Sequence, residues 1–250
     1  MINLTNKIAV VTGGTRGIGK AISLALAENG AHVYALYARD RKSAEALEEE
    51  ARQADIKITA IRGDLSHDDT YQKAVEQLNE VCEKVDILVH AAATGVHKEA
   101  MKLSDKHMQW TFKTNFFAIH QLTRELIGKM QKGGRIIGVT SPGGVRAIPH
   151  YTAVGSSKGA LESLFRHYAQ ELAPEGIIVN LVCPGMVMTD AAKAFPELEK
   201  RLEMTLEFTP TGELTRPDQV ASLVLFLCSE PAAQIVGQTL VIDGGKGLLA

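Results

Sequence analysis

The chain has 250 residues, 45% of them hydrophobic and 22% charged, with a formal net charge of −2. That length and composition suit one soluble globular domain with a large core, and the near-neutral balance argues against a nucleic-acid binder, which calls for a basic excess. The three cysteines, Cys82, Cys183 and Cys228, form no CxxC pair, and the eight histidines show no HExxH-type spacing. They read as buried thiols of a reducing, cytoplasmic compartment, with no metal site expected.

In chain order, KIAVVTG is a short aliphatic strand that begins at once, leaving no room for a secretory signal. TGGTRGIG, residues 12 to 19, joins it to a helical pattern over Lys20–Asn29. The strand-like runs AHVYALY, IKITAIRG, VDILVHAA, GRIIGVTS and GIIVNLVCPG follow, separated by amphipathic stretches at Arg41–Ala54, Asp69–Lys84, Asp105–Gln131 and Ser157–Ala173. Met186–Pro217 breaks the alternation and reads as an inserted helical flap before a last helix and the strand QTLVIDGG. Runs apolar on both faces suit parallel strands covered by helices on each side. The expectation is an α/β fold: a single Rossmann-type domain over residues 1–250, its doubly wound parallel sheet of about seven strands flanked by helices on both faces. No apolar run is long enough to span a membrane.

The glycine loop is the first candidate site. Gly13, Gly17 and Gly19 let the backbone turn sharply and approach a pyrophosphate at a helix N-terminus, where free N–H groups favour anions. The strand–loop–helix context is what separates this triplet from an ordinary turn. At the end of the second strand, dinucleotide-binding proteins that prefer NAD carry Asp or Glu for the ribose 2′-hydroxyl. Here the sequence is LYARDRK, and Arg39 with Arg16 suits a 2′-phosphate through charge-assisted contacts. NADPH is therefore the expected cofactor, against the alternative that Arg39, Arg41 and Lys42 are only the solvated start of a helix. Asp64 and Leu65, after the third strand, are placed to meet the adenine edge and face.

TGGTRGIG, Asn115 in KTNFFAIH, Ser141, the Tyr151–Lys158 pair, CPG at 183–185 and the terminal IDGG together resemble the short-chain dehydrogenase/reductases, over essentially the whole chain. Two departures stand out. HAAATG at 90–95 replaces the usual NNAG, and the usual YxxxK is absent, because Val154 stands four before Lys158. YTAVGSSK, with RAIPHYTAVG and ELAPEGIIVN, resembles the Y-x6-K signature of enoyl-acyl-carrier-protein reductases. Ser141, AFPELEKRLEMTLEFTPTGEL and GQTLVIDGGKGLLA are most similar to the NADPH-dependent, FabL-type branch; the NADH-dependent branch typically has tyrosine where Ser141 stands. The resemblance implies catalytic roles for Tyr151, Lys158 and Ser141. It also implies cofactor contacts from Thr15, Ile18, Ala91, Ala92, Asn115, Pro184, Gly185, Val187 and Thr189. The implied substrate is an acyl thioester on acyl carrier protein, and the implied assembly a homotetramer or homodimer built on the long central helices and the last strand.

Simple geometry agrees with an enoyl substrate. Along a helix, i+4 lies about 6 Å away and i+7 about 10 Å. Reducing a carbonyl needs a proton donor one bond from the atom that accepts hydride. Reducing an enoyl thioester at its β-carbon puts negative charge on an oxygen three bonds away, so the donor must stand farther out. Lys158 is then expected to hold the nicotinamide ribose and to stabilise the developing anion, and Tyr151 to donate to the thioester oxygen. Ser141 orients that oxygen or supports the tyrosine, and Asn115 stabilises a helix kink. Thr94, Met186 and Phe195 complete the expected substrate contacts, the last two from a flap rich in methionine and aromatic residues. Three alternatives stay open: Tyr151 only burying its ring, reduction of a 3-oxoacyl or other ketone, and a nucleotide-binding regulator without turnover.

Overall fold

The computed structural model describes residues 2–249; Met1 and Ala250, the two ends of the expected domain, lie outside the described residues. Seven strands, β1 (Ile8–Thr12), β2 (His32–Tyr37), β3 (Ile58–Arg62), β4 (Ile87–His90), β5 (Arg135–Val139), β6 (Ile178–Pro184) and β7 (Thr239–Ile242), form one sheet in the order β3-β2-β1-β4-β5-β6-β7. Every pairing is parallel. The principal helices are α1 (Gly17–Glu28), α2 (Arg41–Gln53), α3 (Asp68–Val81), α4 (Asp105–Phe112), α5 (Ala118–Leu126), α6 (Thr152–Leu172), α7 (Leu198–Glu207) and α8 (Pro217–Leu227).

Successive strand residues face opposite sides of a sheet, so the aliphatic runs fill two cores. Val10, Leu88, Ile136 and Leu181 pack with Leu122 of α5 and Phe165 of α6. Their neighbours Val11, Val89, Ile137 and Val182 pack on the other side with Ile22 of α1 and Val220 of α8. The strand order reverses between β1 and β4, where Thr12 lies opposite His90. Loops leave this point in opposite directions, and the crevice so formed is where such sheets bind ligands.

Two expected elements differ in ways that matter for the site. The helix expected over Asp105–Gln131 is divided into α4, a π-helical turn at Lys113–Phe117, α5 and a short 3-10 turn at Ile127–Lys129. The π turn carries the buried Asn115, whose side chain is bonded to the main chain of Thr94; such turns cluster at functional sites. The helix expected from Ser157 begins at Thr152, and Tyr151 is its N-cap with φ −114° and ψ 9°. The phenol therefore stands at the mouth of α6, seven residues before Lys158. The flap is helical as expected, with a 3-10 turn at Ala192–Ala194 before α7, and α8 opens on Pro217. No helix among the described residues is long and apolar enough to cross a membrane, and no group of three or more His, Cys, Asp or Glu among them is arranged to hold a metal ion.

Candidate active site

The crevice is built from the carboxyl ends of β1, β4, β5 and β6. Gly13 has φ 65°, and a Cβ there would meet Ala92 Cα at 2.9 Å, so only glycine lets the loop lie against the β4 loop. A Cβ at Gly19 would collide with the Gly13 carbonyl oxygen. The N-terminus of α1 has no side-chain cap and no acidic residue in its first turn, which leaves N–H groups and dipole for an anion. Thr189, after β6, brings a methyl within 3.2 Å of where a side chain at Gly17 would begin, so the glycine loop and the loop after β6, which carries an implied cofactor contact, face one another. Thr15 is buried in the loop and Arg16 is exposed, its charge near enough to favour the Asp40 carboxylate. A dinucleotide pyrophosphate fits this cradle.

At the adenosine end, a cavity of about 610 Å³ is lined by Arg39, Arg62, Asp64, His67 and Lys113 among others. Arg39 Nε donates to Asp64 Oδ2 at 3.2 Å while most of the guanidinium stays exposed. Asp40, which a ribose hydroxyl could have recruited, instead caps α2, accepting from Ser43 N at 3.0 Å and Ser43 Oγ at 2.7 Å. Those two bonds hold its carboxyl below the usual range. The side chains of Leu65 and Val187 are buried in the two cores, and neither residue lines this pocket. Arg62 was not expected in this pocket; as the last residue of a strand it carries no sequence signal.

Behind the nicotinamide end lies a closed polar network. His90 Nε2 donates to the Asn115 carbonyl oxygen at 3.3 Å, and its Nδ1 accepts from Thr12 Oγ1 at 2.9 Å. Thr12 Oγ1 in turn accepts from Ala92 N at 3.1 Å. Full burial drives the His90 pKa down to about 3, with the Lys158 charge adding to the effect, so the ring is neutral and the network fixes its tautomer. The Asn115 side chain accepts from Thr94 N at 2.8 Å and donates to Thr94 O and Ser157 Oγ, both at 2.9 Å. Asn115 thus shapes the wall that carries Thr94, Ala91 and Ala92.

The proton-handling groups meet at the end of β5 and the start of α6. Tyr151 Oη donates to Ser141 Oγ at 3.2 Å, and Ser141 Oγ accepts from Gly143 N at 3.3 Å. Burial pushes the Tyr151 phenol up, opposed by the Ser141 hydrogen bond, so the group holds its proton. Lys158 is buried and donates to the Val139 carbonyl at 2.7 Å. Burial brings its pKa down to about 8, against nearby Cys183 and Glu162, which favour the cation. The buried Glu162 accepts from Thr140 Oγ1 at 2.8 Å. Val154, where the usual tyrosine would stand, is buried against Gly95 so closely that a Cβ on Gly95 would overlap its methyl. The sequence places three expected residues, Tyr151, Ser141 and Lys158, on one wall, and the flap adds Phe195, stacked on Tyr151 at 5.6 Å between centroids. Met186 lies under the flap helix, its sulfur accepting from Thr205 Oγ1 at 3.7 Å.

With this geometry in view, the family described as "Enoyl-(Acyl carrier protein) reductase" matches residues 13–246. The chain belongs to the short-chain dehydrogenase/reductase family. Relatives within it differ in the bond they are named for. The 3-oxoacyl-[acyl-carrier-protein] reductase of Aquifex aeolicus is 31% identical, covering 98% of each chain, and the same name recurs in relatives from Vibrio harveyi and Synechocystis sp.. The 1-cyclohexenylcarbonyl-CoA reductase of Streptomyces collinus is 30% identical over 98% of this chain and 88% of its own. A short-chain dehydrogenase of Burkholderia cenocepacia, solved in complex with NADP, superposes with a TM-score of 0.90 at 29% identity, covering 98% of this chain and 99% of that one. As a member of this family of oxidoreductases, the chain uses a nicotinamide cofactor. Nothing in the sequence singles out His97 or Glu162, and Arg201 stands within AFPELEKRLEMTLEFTPTGEL with no expected place beside the turn before Tyr151. The places of His97 and Arg201 depend on how loops far apart in sequence pack.

Proposed function

We propose that the protein is an NADPH-dependent reductase of trans-2-enoyl thioesters, placing hydride on the β-carbon. One observation carries this reading: among the described residues the phenol bonded to Ser141 is Tyr151 at the mouth of α6, while the position four before Lys158 is a buried valine. When bound, the reduced nicotinamide supplies the hydride; the residues of the chain do the rest. Tyr151 donates to the thioester oxygen as charge develops there, Ser141 fixes the direction of that hydroxyl, and Lys158 supplies positive charge nearby. The proton that completes reduction comes from Tyr151 or from water. Thr94, Met186 and Phe195 border the acyl group. A carrier protein is the proposed bearer of the thioester, and a homodimer or homotetramer the proposed assembly. The half-exposed Trp110 and Phe117 beside α4 and the 60% exposed Val241 of β7 are consistent with buried contacts between copies.

A second reading, a 3-oxoacyl or other ketone reductase, is favoured by the names of several relatives, which point to carbonyl reduction more often than to enoyl reduction. Crotonyl and acetoacetyl thioesters separate the two. The expected result is NADPH oxidation about tenfold or more faster with the crotonyl substrate. Oxidation with the acetoacetyl substrate alone assigns the protein to ketone reduction.

For the cofactor, Arg39 carries the preference. Removing a hydrogen bond to a charged group costs about 1.5–3 kcal/mol, so Arg39→Ala is expected to raise the NADPH KM roughly 10- to 100-fold. The KM for NADH, which lacks the 2′-phosphate, should stay within about twofold. Parallel losses for both cofactors would return Arg39 to the solvated helix start.

A further inference from the structure

Arg201 on α7 reaches across the site to the turn before Tyr151. Its Nη2 donates to the Pro149 carbonyl at 2.9 Å, its Nε to the Pro196 carbonyl at 3.2 Å, and its guanidinium carbon lies 5.2 Å from the centroid of Phe195. A planar fork can bond in its plane and stack on its face at once; an ammonium cannot. Phe195 lies nearly parallel to Tyr151, at 16°, and His97 packs against both rings, with centroids 4.1 Å from Phe195 and 5.7 Å from Tyr151. On the other side a Cβ at Gly143 would come within 2.5 Å of the phenol ring, so the ring is held between backbone and flap. Between Pro149 and Tyr151, His150 has φ 62°, a left-handed conformation that is strained for a non-glycine residue. Its neighbours must hold it there. Around it are the Tyr151 N–H bond to the Ile148 carbonyl at 3.2 Å, the bridge between the Tyr151 and Lys98 main chains, and the Arg201 bond to Pro149 from the flap.

We propose that Arg201 is a positioning residue that joins closure of the 186–217 flap to orientation of the Tyr151 phenol, acting through Phe195 on one side and Pro149 on the other. The inference rests on Tyr151 being the donor to the acyl substrate. Its consequence is that the flap cannot lift from the acyl group without releasing the turn that aims the proton.

Arg201→Ala, Arg201→Lys and Phe195→Leu test it, assayed with whichever of crotonyl or acetoacetyl thioester the native enzyme reduces, alongside NADPH titration and thermal unfolding. Arg201→Ala should raise the thioester KM and lower kcat, each about tenfold, with NADPH affinity within about twofold of native. Arg201→Lys keeps a donor for Pro149 but no flat face for Phe195, so it should recover kcat and not KM. Phe195→Leu should reproduce the KM defect alone. Unchanged kinetics in Arg201→Ala, or NADPH affinity lost in step with KM, would overturn the proposal. If Arg201→Ala does not fold, the split between the other two variants decides, and Arg201→Lys failing in both parameters or in neither sinks the idea. The KM effect read again in a Tyr151→Phe background separates the two claims: its persistence there beside full turnover removes the donor and keeps the flap latch, whereas its absence removes the latch.

Discussion

Tyr151→Phe should lower kcat for the enoyl thioester by about 10²- to 10⁴-fold, the usual worth of a positioned proton donor, and leave NADPH affinity unchanged. The substitution removes one oxygen and keeps the ring, so the stack on Phe195 and His97 and the contact with Gly143 survive. What is lost in the resting enzyme is one hydrogen bond, to Ser141, worth about 1 kcal/mol, too little to unfold the domain. Because burial raises the phenol, it stays protonated across the working range and can give a hydrogen bond wherever the enzyme is active. Ser141→Ala should lower kcat by a smaller factor, since the serine aims the hydroxyl rather than replacing it. Full turnover in Tyr151→Phe would return the residue to a ring packed at a helix mouth. NADPH binding without oxidation of any thioester, unaltered by this substitution, would instead favour a regulator.

The parts of this site legible in the sequence are those fixed by local backbone needs. A glycine loop between an aliphatic strand and a helix has few structural uses, and the strand-by-strand alternation leaves only a doubly wound sheet. The family resemblance places Asn115 at a helix irregularity, and the π turn satisfies its side chain through Thr94 and Ser157. The start of α6 was less legible. Gly155, Ser156 and Ser157 weaken helix propensity, so the pattern suggests a later start, but packing of Ala153 and Val154 in the interior extends the helix to Thr152. The aromatic cover of Tyr151 was not legible at all. His97 and Arg201 lie 54 and 50 residues from Tyr151, and only tertiary packing brings both onto Phe195, the ring stacked on the phenol.

Lys158 should impose a basic limb on kcat/KM near pH 8. Burial favours its neutral form and brings the pKa down to about 8, so the cation that steadies the developing oxyanion is present below that pH and lost above it. Cys183 does not compete for the limb, because burial pushes its thiol up to about 12. Stability moves the other way. In the unfolded chain the lysine keeps its proton to about pH 10.4, so between about 8 and 10.4 the unfolded state binds more protons than the native state. Stability from this group therefore rises with pH across that window, by up to about 3 kcal/mol, as the cost of burying a cation disappears. Activity falling while the unfolding temperature does not is thus the signature of Lys158 rather than of general alkaline unfolding. Lys158→Arg, which cannot lose its charge, should show a lower plateau with the limb gone. A limb at the same pH in Lys158→Arg would assign it to another group and leave the lysine as a tether for the Val139 carbonyl alone.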